Sequence, residues 1–363
     1  MMTINFIILT LLFNLNNAEQ TPKFGAQNDD FMYEGRYEFV QNNLELISPG
    51  ASVSIRFSGS YCTVYLKGTH EPYNYVALEL DNKYLGRVKI ESDSIKAYTI
   101  KVTSKKQPHQ LKIIKESEAS NGAVIFKGIT VKNILKPLAQ SNFYIEFIGD
   151  SVTCGAAADS SITPCNTGMY FDQENVYYSY GVTLARALNV RCKISAVSGI
   201  GIYRNWNDEN INEPIMPQVY QNLHLNTDAS KPNNFNEIPD IVSICLGTND
   251  LSNGDGKKER LPFNKEKYIL NYINFIKEVY KHYPNTQIIL LNSPMIIGDN
   301  NIVLVSCLKK VQHYFYKNHK KTIKLFEFKN EYVNGCSYHP SVKEHQEIAD
   351  KLLPFFKNIL QNK

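Results

Sequence analysis

Near residue 140 the hydrophobic rhythm of this 363-residue chain changes, and the two rhythms belong to different fold classes. From about Tyr33 to Leu135, short apolar–polar alternations recur between turns, at Val53–Phe57, Cys62–Leu66, Tyr75–Leu80, Ala97–Val102, Gln110–Ile114 and Ala123–Phe126. Period two at this spacing suits antiparallel strands that bury one face, and predicts a β-sandwich over residues 30–136. After Lys136-Pro-Leu-Ala-Gln140, strand-like runs alternate with helical segments such as Tyr178–Leu188, Lys265–His282 and Val342–Ile359. That alternation predicts an α/β domain over 141–363, a mainly parallel sheet with flanking helices. In the last segment Ile348, Ala349, Leu352, Leu353 and Phe356 form an apolar stripe, and Pro354 is expected to kink or divide the helix.

Two strand-like runs of the second half end in residues that carry chemistry. Phe143-Tyr-Ile-Glu-Phe-Ile148 leads into Gly149-Asp150-Ser151, and Asp240-Ile-Val-Ser-Ile-Cys-Leu246 leads into Gly247-Thr248-Asn249-Asp250. Both exits would lie on the strand-end edge where open α/β sheets collect their sites. Ser198-Gly199-Ile200-Gly201 and Tyr338-His339-Pro340 complete the set. A serine hydroxyl attacks an ester only when a base takes its proton, and a histidine can take it and return it to the leaving group, which suits Ser151 and His339. Attack builds charge on the carbonyl oxygen, which needs fixed donors. The backbone N–H groups of Ser151 and Gly199 and the side-chain amide of Asn249 are three suitable ones.

In this order the four segments resemble the GDSL or SGNH hydrolase superfamily, named for the residues found here as Ser151, Gly199, Asn249 and His339. The flanks narrow the likeness. Ile148-Gly-Asp-Ser-Val-Thr-Cys-Gly155, Ser179-Tyr-Gly-Val-Thr-Leu-Ala-Arg186, Leu246-Gly-Thr-Asn-Asp250, Asn292-Ser-Pro-Met295 and Gly335-Cys-Ser-Tyr-His-Pro-Ser341 look like carbohydrate esterase family 2. The resemblance implies removal of O-acetyl groups from sugars and polysaccharides. It implies a jelly-roll sandwich ahead of a flavodoxin-like SGNH domain, matched by Gly35-Arg36, Arg56-Phe57-Ser-Gly59 and Glu118-Ala-Ser-Asn-Gly122. An acetylated carbohydrate is the partner it implies, with no cofactor and no metal.

The chain departs from the family pattern beside its histidine. The superfamily carries an aspartate three residues before the histidine, where this chain has Cys336, and Ser337 stands where family 2 has its aspartate. With no local acid, either a backbone carbonyl or the Ser337 hydroxyl is expected to accept the Nδ1 proton, making a Ser-His dyad, or activity is lost. Tyr338 replaces the family's tryptophan, and either stacks on a sugar face or shields His339. Trp206, the sole tryptophan, forms part of a substrate platform or packs inside. Asp150 is expected to bond backbone around the Ser151 turn, Asp250 to fix the Asn249 loop, and His345 to take a surface or core-edge place.

A formal charge of +4 is too small a bias to imply nucleic acid, and no compact basic stripe with interleaved aromatics is present. The apolar run Ile4–Leu15 is too short to span a bilayer and reads as a signal peptide over residues 1–18, which implies a secreted protein. Seven cysteines suit an oxidising compartment, with Cys154 and Cys165 the expected pair and Cys245 a packed thiol. Oligomeric state does not follow from spacing. Two other functions share these features: a catalytically weak carbohydrate-binding relative, and a lipase or thioesterase, for which no long acyl groove is specified.

Overall fold

A computed structural model describes residues 22–102, 107–209 and 213–362. The expected signal peptide at residues 1–18 lies outside them. The chain forms two compact units, one built from residues before Gln140 and the other from Gln140 onward together with Ser48–Gly50 and Ser117–Ser120.

The described strands of the first unit are β1 (Phe24–Gly25), β2 (Phe31–Glu34), β3 (Tyr37–Val40), β4 (Asn43–Leu46), β5 (Ser52–Ser58), β6 (Tyr61–Gly68), β7 (Tyr73–Leu80), β8 (Lys83–Glu91), β9 (Lys96–Lys101), β10 (His109–Lys115), β11 (Val124–Thr130) and β12 (Asn133–Leu135). One sheet runs β3-β4-β11-β6-β9 with β1 beside β11, the other β12-β5-β10-β7-β8 with β2 beside β5. Every pairing is antiparallel. The alternation read from sequence turns one row of each sheet inward: Val53, Ile55 and Phe57 of β5 join Leu44 and Leu46 of β4 and Val124 and Phe126 of β11 in one buried cluster. Across the two sheets the Phe31 and Phe126 rings meet edge to face at 5.9 Å. The β-sandwich expected from period two is the fold found.

In the second unit, β13 (Tyr144–Gly149), β14 (Arg191–Ala196), β15 (Ile241–Cys245), β16 (Gln287–Leu291) and β17 (Lys324–Phe326) form a parallel sheet in the order β14-β13-β15-β16-β17. Counting from β13, that order is 2-1-3-4-5, the flavodoxin-like doubly wound arrangement, as expected. Its helices are α1 (Ser151–Cys154), α2 (Tyr180–Leu188), α3 (Met216–Val219), α4 (Lys265–His282), α5 (Gly298–His319) and α6 (Val342–Gln361). Alternate residues of β13 serve opposite faces. Phe147 stacks on Phe356 of α6 at 6.3 Å, while the next carboxylate along, Glu146, is fully buried and accepts from Ser195 Oγ at 2.6 Å and Tyr220 Oη at 2.9 Å. Tyr220 in turn meets Phe275 of α4 edge to face. Near-continuous apolar strands are what a sheet covered on both faces requires.

Helix α6 continues through Pro354 rather than dividing there. Its stripe of Ile348, Ala349, Leu352 and Phe356 is buried, and this packing offsets the backbone bond that the proline removes. A capping box starts it: Ser341 Oγ accepts the Glu344 N–H, and the Glu344 carboxylate accepts the Ser341 N–H at 2.9 Å.

Candidate active site

The sheet order reverses between β13 and β15, and the expected site residues follow the strands around that crevice: Ser151 after β13, Gly199 after β14 and Asn249 after β15. At Gly149 a Cβ would collide with Thr153 and sit 3.0 Å from the Cys245 carbonyl oxygen, so only glycine lets β13 turn this sharply. Asp150 then caps the one-turn helix α1 by accepting the Val152 N–H at 3.2 Å, as expected of it. Ser151, at the first position of α1, is buried, and its N–H has no partner within so short a helix.

His339 and Ser151 are 188 residues apart in sequence and meet through His339 Nε2 and Ser151 Oγ at 2.9 Å. On its other side His339 Nδ1 lies 2.9 Å from the backbone carbonyl of Ser337. A carbonyl only accepts, so Nδ1 carries the proton, and Nε2 is left as the acceptor facing the serine hydroxyl. Of the two expected alternatives the structure has the carbonyl, not the Ser337 hydroxyl.

This contact demands an unusual turn. Ser337 and Tyr338 both have left-handed backbone, with φ of 50° and 57°. Two successive non-glycine residues there cost about 1–3 kcal/mol each, so the surroundings must hold them. Cys336 is tied to Cys165 by a disulfide with Cα atoms 5.2 Å apart, its N–H donates to Ala157 O at 2.8 Å, and the Gly335 N–H donates to His339 O at 2.7 Å. The expected Cys154–Cys165 pair is therefore corrected: Cys165 bonds to Cys336, 171 residues away, and Cys154 is a buried thiol. Closing so long a loop leaves the spacing argument no purchase, because Cα distance governs pairing. Replacing Cys336 with serine, or reducing the bridge, is expected to lower ester turnover about 10-fold or more by loosening the His339 turn, since misplacing a reacting group by about 1 Å can cost 10²-fold. Rates with and without reductant, compared between the native protein and Cys165→Ser, measure it; a rate in Cys165→Ser equal to native would refute it.

Burial lowers the His339 pKa below the ordinary histidine value of 6.5, against the opposing effects of the Ser337 carbonyl and of Glu118. A base works only when neutral, so a lowered pKa keeps it competent further into acid. The acid limb of kcat/KM is thus expected to fall below pH 6.5, and a midpoint above that value would contradict this geometry.

Gly199 has φ of +76°, and a Cβ there would find open space apart from Trp206, 3.8 Å off, so backbone conformation rather than room calls for glycine. Its carbonyl takes the Trp206 N–H at 2.7 Å, which brings Trp206, 46% exposed, to the rim beside it. Among the described residues no acceptor is recorded for the Gly199 N–H. Asn249 is buried, and its Nδ2 donates to Ile200 O at 2.8 Å and, more loosely, to Asp150 Oδ2 at 3.3 Å. The Asp250 carboxylate accepts the N–H groups of Ile202, Tyr203 and Arg204 at 3.0, 2.8 and 3.3 Å, while Arg204 Nε donates to the Asp250 carbonyl at 2.7 Å and Arg260 to the Asn249 carbonyl at 3.2 Å. Asp250 thus binds the Asn249 loop to the loop after Gly199. Burial pushes Asp150 up to about 7 and Asp250 up to about 6.

Tyr338 is 82% exposed next to His339, and of the two readings for Trp206 the buried one is excluded. His345 departs from its expected surface or core-edge place: it is fully buried, accepts the Tyr180 N–H through Nδ1 at 3.2 Å and stacks on the Tyr180 ring. Burial, then repulsion from His339, lowers its pKa to about 3. The fully buried Glu146 and its tyrosine partner carried no local sequence signal, because Tyr220 lies on a distant segment.

A 2-1-3-4-5 parallel sheet with serine, glycine, asparagine and histidine following its strand ends in this order defines the SGNH class of hydrolases. Residues 147–317 match the GDSL-like Lipase/Acylhydrolase family and residues 33–140 the Carbohydrate esterase 2 N-terminal family. The chain is 29% identical to the cellulase/esterase CelE of Acetivibrio thermocellus, over 94% of this chain and 41% of that protein, so it spans less than half the length of that relative. It is 28% identical to an acetylxylan esterase/glucomannan deacetylase of Cellvibrio japonicus, over 68% of each chain. A family two carbohydrate esterase from Clostridium thermocellum, solved in complex with cellohexaose, superposes with a TM-score of 0.81 at 26% identity, over 91% of this chain and 99% of that one. The chain thus carries a carbohydrate esterase 2 N-terminal domain followed by a GDSL-like lipase/acylhydrolase domain, and the relatives it resembles are carbohydrate esterases.

Proposed function

We propose that the protein is a secreted acetyl esterase that removes O-acetyl groups from sugars or polysaccharides, using a Ser151–His339 dyad. The observation that carries this reading is the relay from Ser151 Oγ through His339 to the Ser337 carbonyl, with both links at 2.9 Å. In this mechanism Ser151 Oγ attacks the acetyl carbonyl carbon as His339 Nε2 takes its proton. The Ser337 carbonyl, holding Nδ1–H, steadies the imidazolium in place of a carboxylate. The Ser151 and Gly199 N–H groups and Asn249 Nδ2 receive the developing oxyanion, the last by giving up its loose contact to Asp150. As the intermediate collapses, His339 protonates the departing sugar oxygen and an acetyl group remains on Ser151. Water then attacks the acetyl carbon as His339 takes its proton, and as the bond to Ser151 Oγ breaks His339 returns that proton to Oγ and acetate is released.

The named relatives support a carbohydrate ester as substrate, and exposed Tyr338 and Trp206 are the aromatic surfaces assigned to the sugar. No helix among the described residues is long and apolar enough to cross a membrane. Secretion rests on the apolar run at residues 4–15. The test is acetate release from acetylated xylan and from a small aryl acetate, beside release of longer acyl chains from the same aryl leaving group. Turnover confined to acetyl esters supports the reading; a preference for long acyl chains points to a lipase, and sugar binding without release to a binding protein.

A further inference from the structure

A buried carboxylate stands where three segments of the site come together, although the histidine turn Gly335–Ser341 contains no acid. Glu118 belongs to the short segment Ser117–Ser120 that groups with the second unit, and it is 3% exposed. Its Oε2 accepts the Ser198 N–H at 2.6 Å, one residue before Gly199. The Cys154 thiol at the end of α1 bonds to the same carboxylate, and burial, with the charges of Glu118, Glu174 and Asp150, pushes that thiol well up, so it stays protonated and donates. The third segment is the His339 turn, on whose imidazole the Glu118 charge acts. Glu118 is itself held from behind, its N–H donating to Glu174 Oε2 at 3.3 Å.

We propose that Glu118 is a positioning residue of this site: its carboxylate fixes the Val197–Ser198 peptide, and so Ser198, the residue that leads into the Gly199 N–H, and supplies His339 with the negative charge that its own turn lacks. A peptide between a left-handed glycine and a loop could rotate its N–H away from the crevice. A charge-assisted bond at 2.6 Å to the Ser198 N–H pins the residue on which that peptide hinges and so restricts its rotation before substrate arrives, and a preorganised donor is what lowers the barrier. The charge term follows from the buried setting. His339 is neutral at rest and becomes cationic in the transition state, so a nearby carboxylate stabilises the transition state more than the ground state. The other titratable groups are His345 on α6, which opposes charge on His339, and Glu174, Cys154 and Tyr170 around Glu118 itself. The Cys154 thiol and the Tyr170 phenol are both pushed up and remain neutral.

The inference rests on the esterase reading above, and its test separates the two. Glu118→Gln keeps an oxygen for the Ser198 N–H and removes the charge, whereas Glu118→Ala removes both. The His339 imidazole is titrated by NMR in the native protein and Glu118→Gln, and kcat and KM for an aryl acetate are measured in all three proteins, with thermal melting as the check on folding. The His339 midpoint is expected to drop by about 0.5–1 unit in Glu118→Gln. Turnover is expected to fall about 10–100-fold in Glu118→Ala with KM within about 2-fold of native, and less in Glu118→Gln, which restores the acceptor. A midpoint unmoved in folded Glu118→Gln, or a native kcat in folded Glu118→Ala, overturns the proposal. A native protein that releases no acyl group sinks the esterase reading alone, because the titration still decides whether Glu118 acts on His339.

Discussion

Alanine at Ser151 and alanine at His339 are each expected to lower kcat by about 10⁴–10⁶-fold, and the double variant to be no worse than either single one. The reason is geometric. The hydroxyl and Nε2 are joined by one 2.9 Å contact, so without Nε2 the hydroxyl keeps its proton, and without the hydroxyl the imidazole has nothing to activate. Residues that act as a unit lose their effect together, and the residual rate comes from the oxyanion donors and binding. Neither change should unfold the protein, since Ser151→Ala removes one buried oxygen and His339 lies on a turn pinned by Cys336. Initial rates on an aryl acetate, with titration of active sites by a slow acyl donor, decide it. Losses that multiply in the double variant would mean that the two residues work separately.

Alanine at Asn249 is expected to lower kcat by about 10²–10³-fold with little change in KM, the loss typical of one oxyanion donor. In the resting protein Nδ2 is anchored at 2.8 Å to Ile200 O, while its 3.3 Å contact with Asp150 is long enough to be surrendered to a stronger acceptor. An oxyanion is such an acceptor and the ester carbonyl is a weaker one, so the contact strengthens only as charge develops, which moves kcat rather than KM. Asp250 and Arg260 hold the loop through backbone groups and remain in the variant, so the pocket should keep its shape. Asn249→Ala raising KM with kcat unchanged would assign the amide to ground-state binding instead.

The Ser337 carbonyl gives the site a weaker partner for imidazolium than a carboxylate would be. Buried Glu118 and the locked turn answer that weakness in different ways, one by charge and one by restricting motion. The disulfide closes the turn onto Cys165 and leaves Cys154 available as a thiol donor.

What the amino-acid sequence determined alone is what depends on neighbours along the chain. Period two before residue 135 and strand–helix alternation after 141 set two sheets of different kinds, because the alternation that buries one face of a strand is written locally. Gly149 and the Asp150 cap are local too, which is why Gly-Asp-Ser marked the place of Ser151. Only the tertiary structure decided which groups meet at the site. Every residue carries a carbonyl, so nothing in Gly335-Cys-Ser-Tyr-His says that the one at Ser337 would face Nδ1; that depends on two left-handed residues and a bond to Cys165. Likewise a helical stripe predicts that Ile348 is buried but not that His345 slides under Tyr180, and a short loop segment, Ser117–Ser120, gives no hint in sequence that Glu118 reaches the Ser198 N–H. Contacts between residues far apart in sequence are chosen by the path of the whole chain, and a lone polar side chain leaves no periodic trace of its partner.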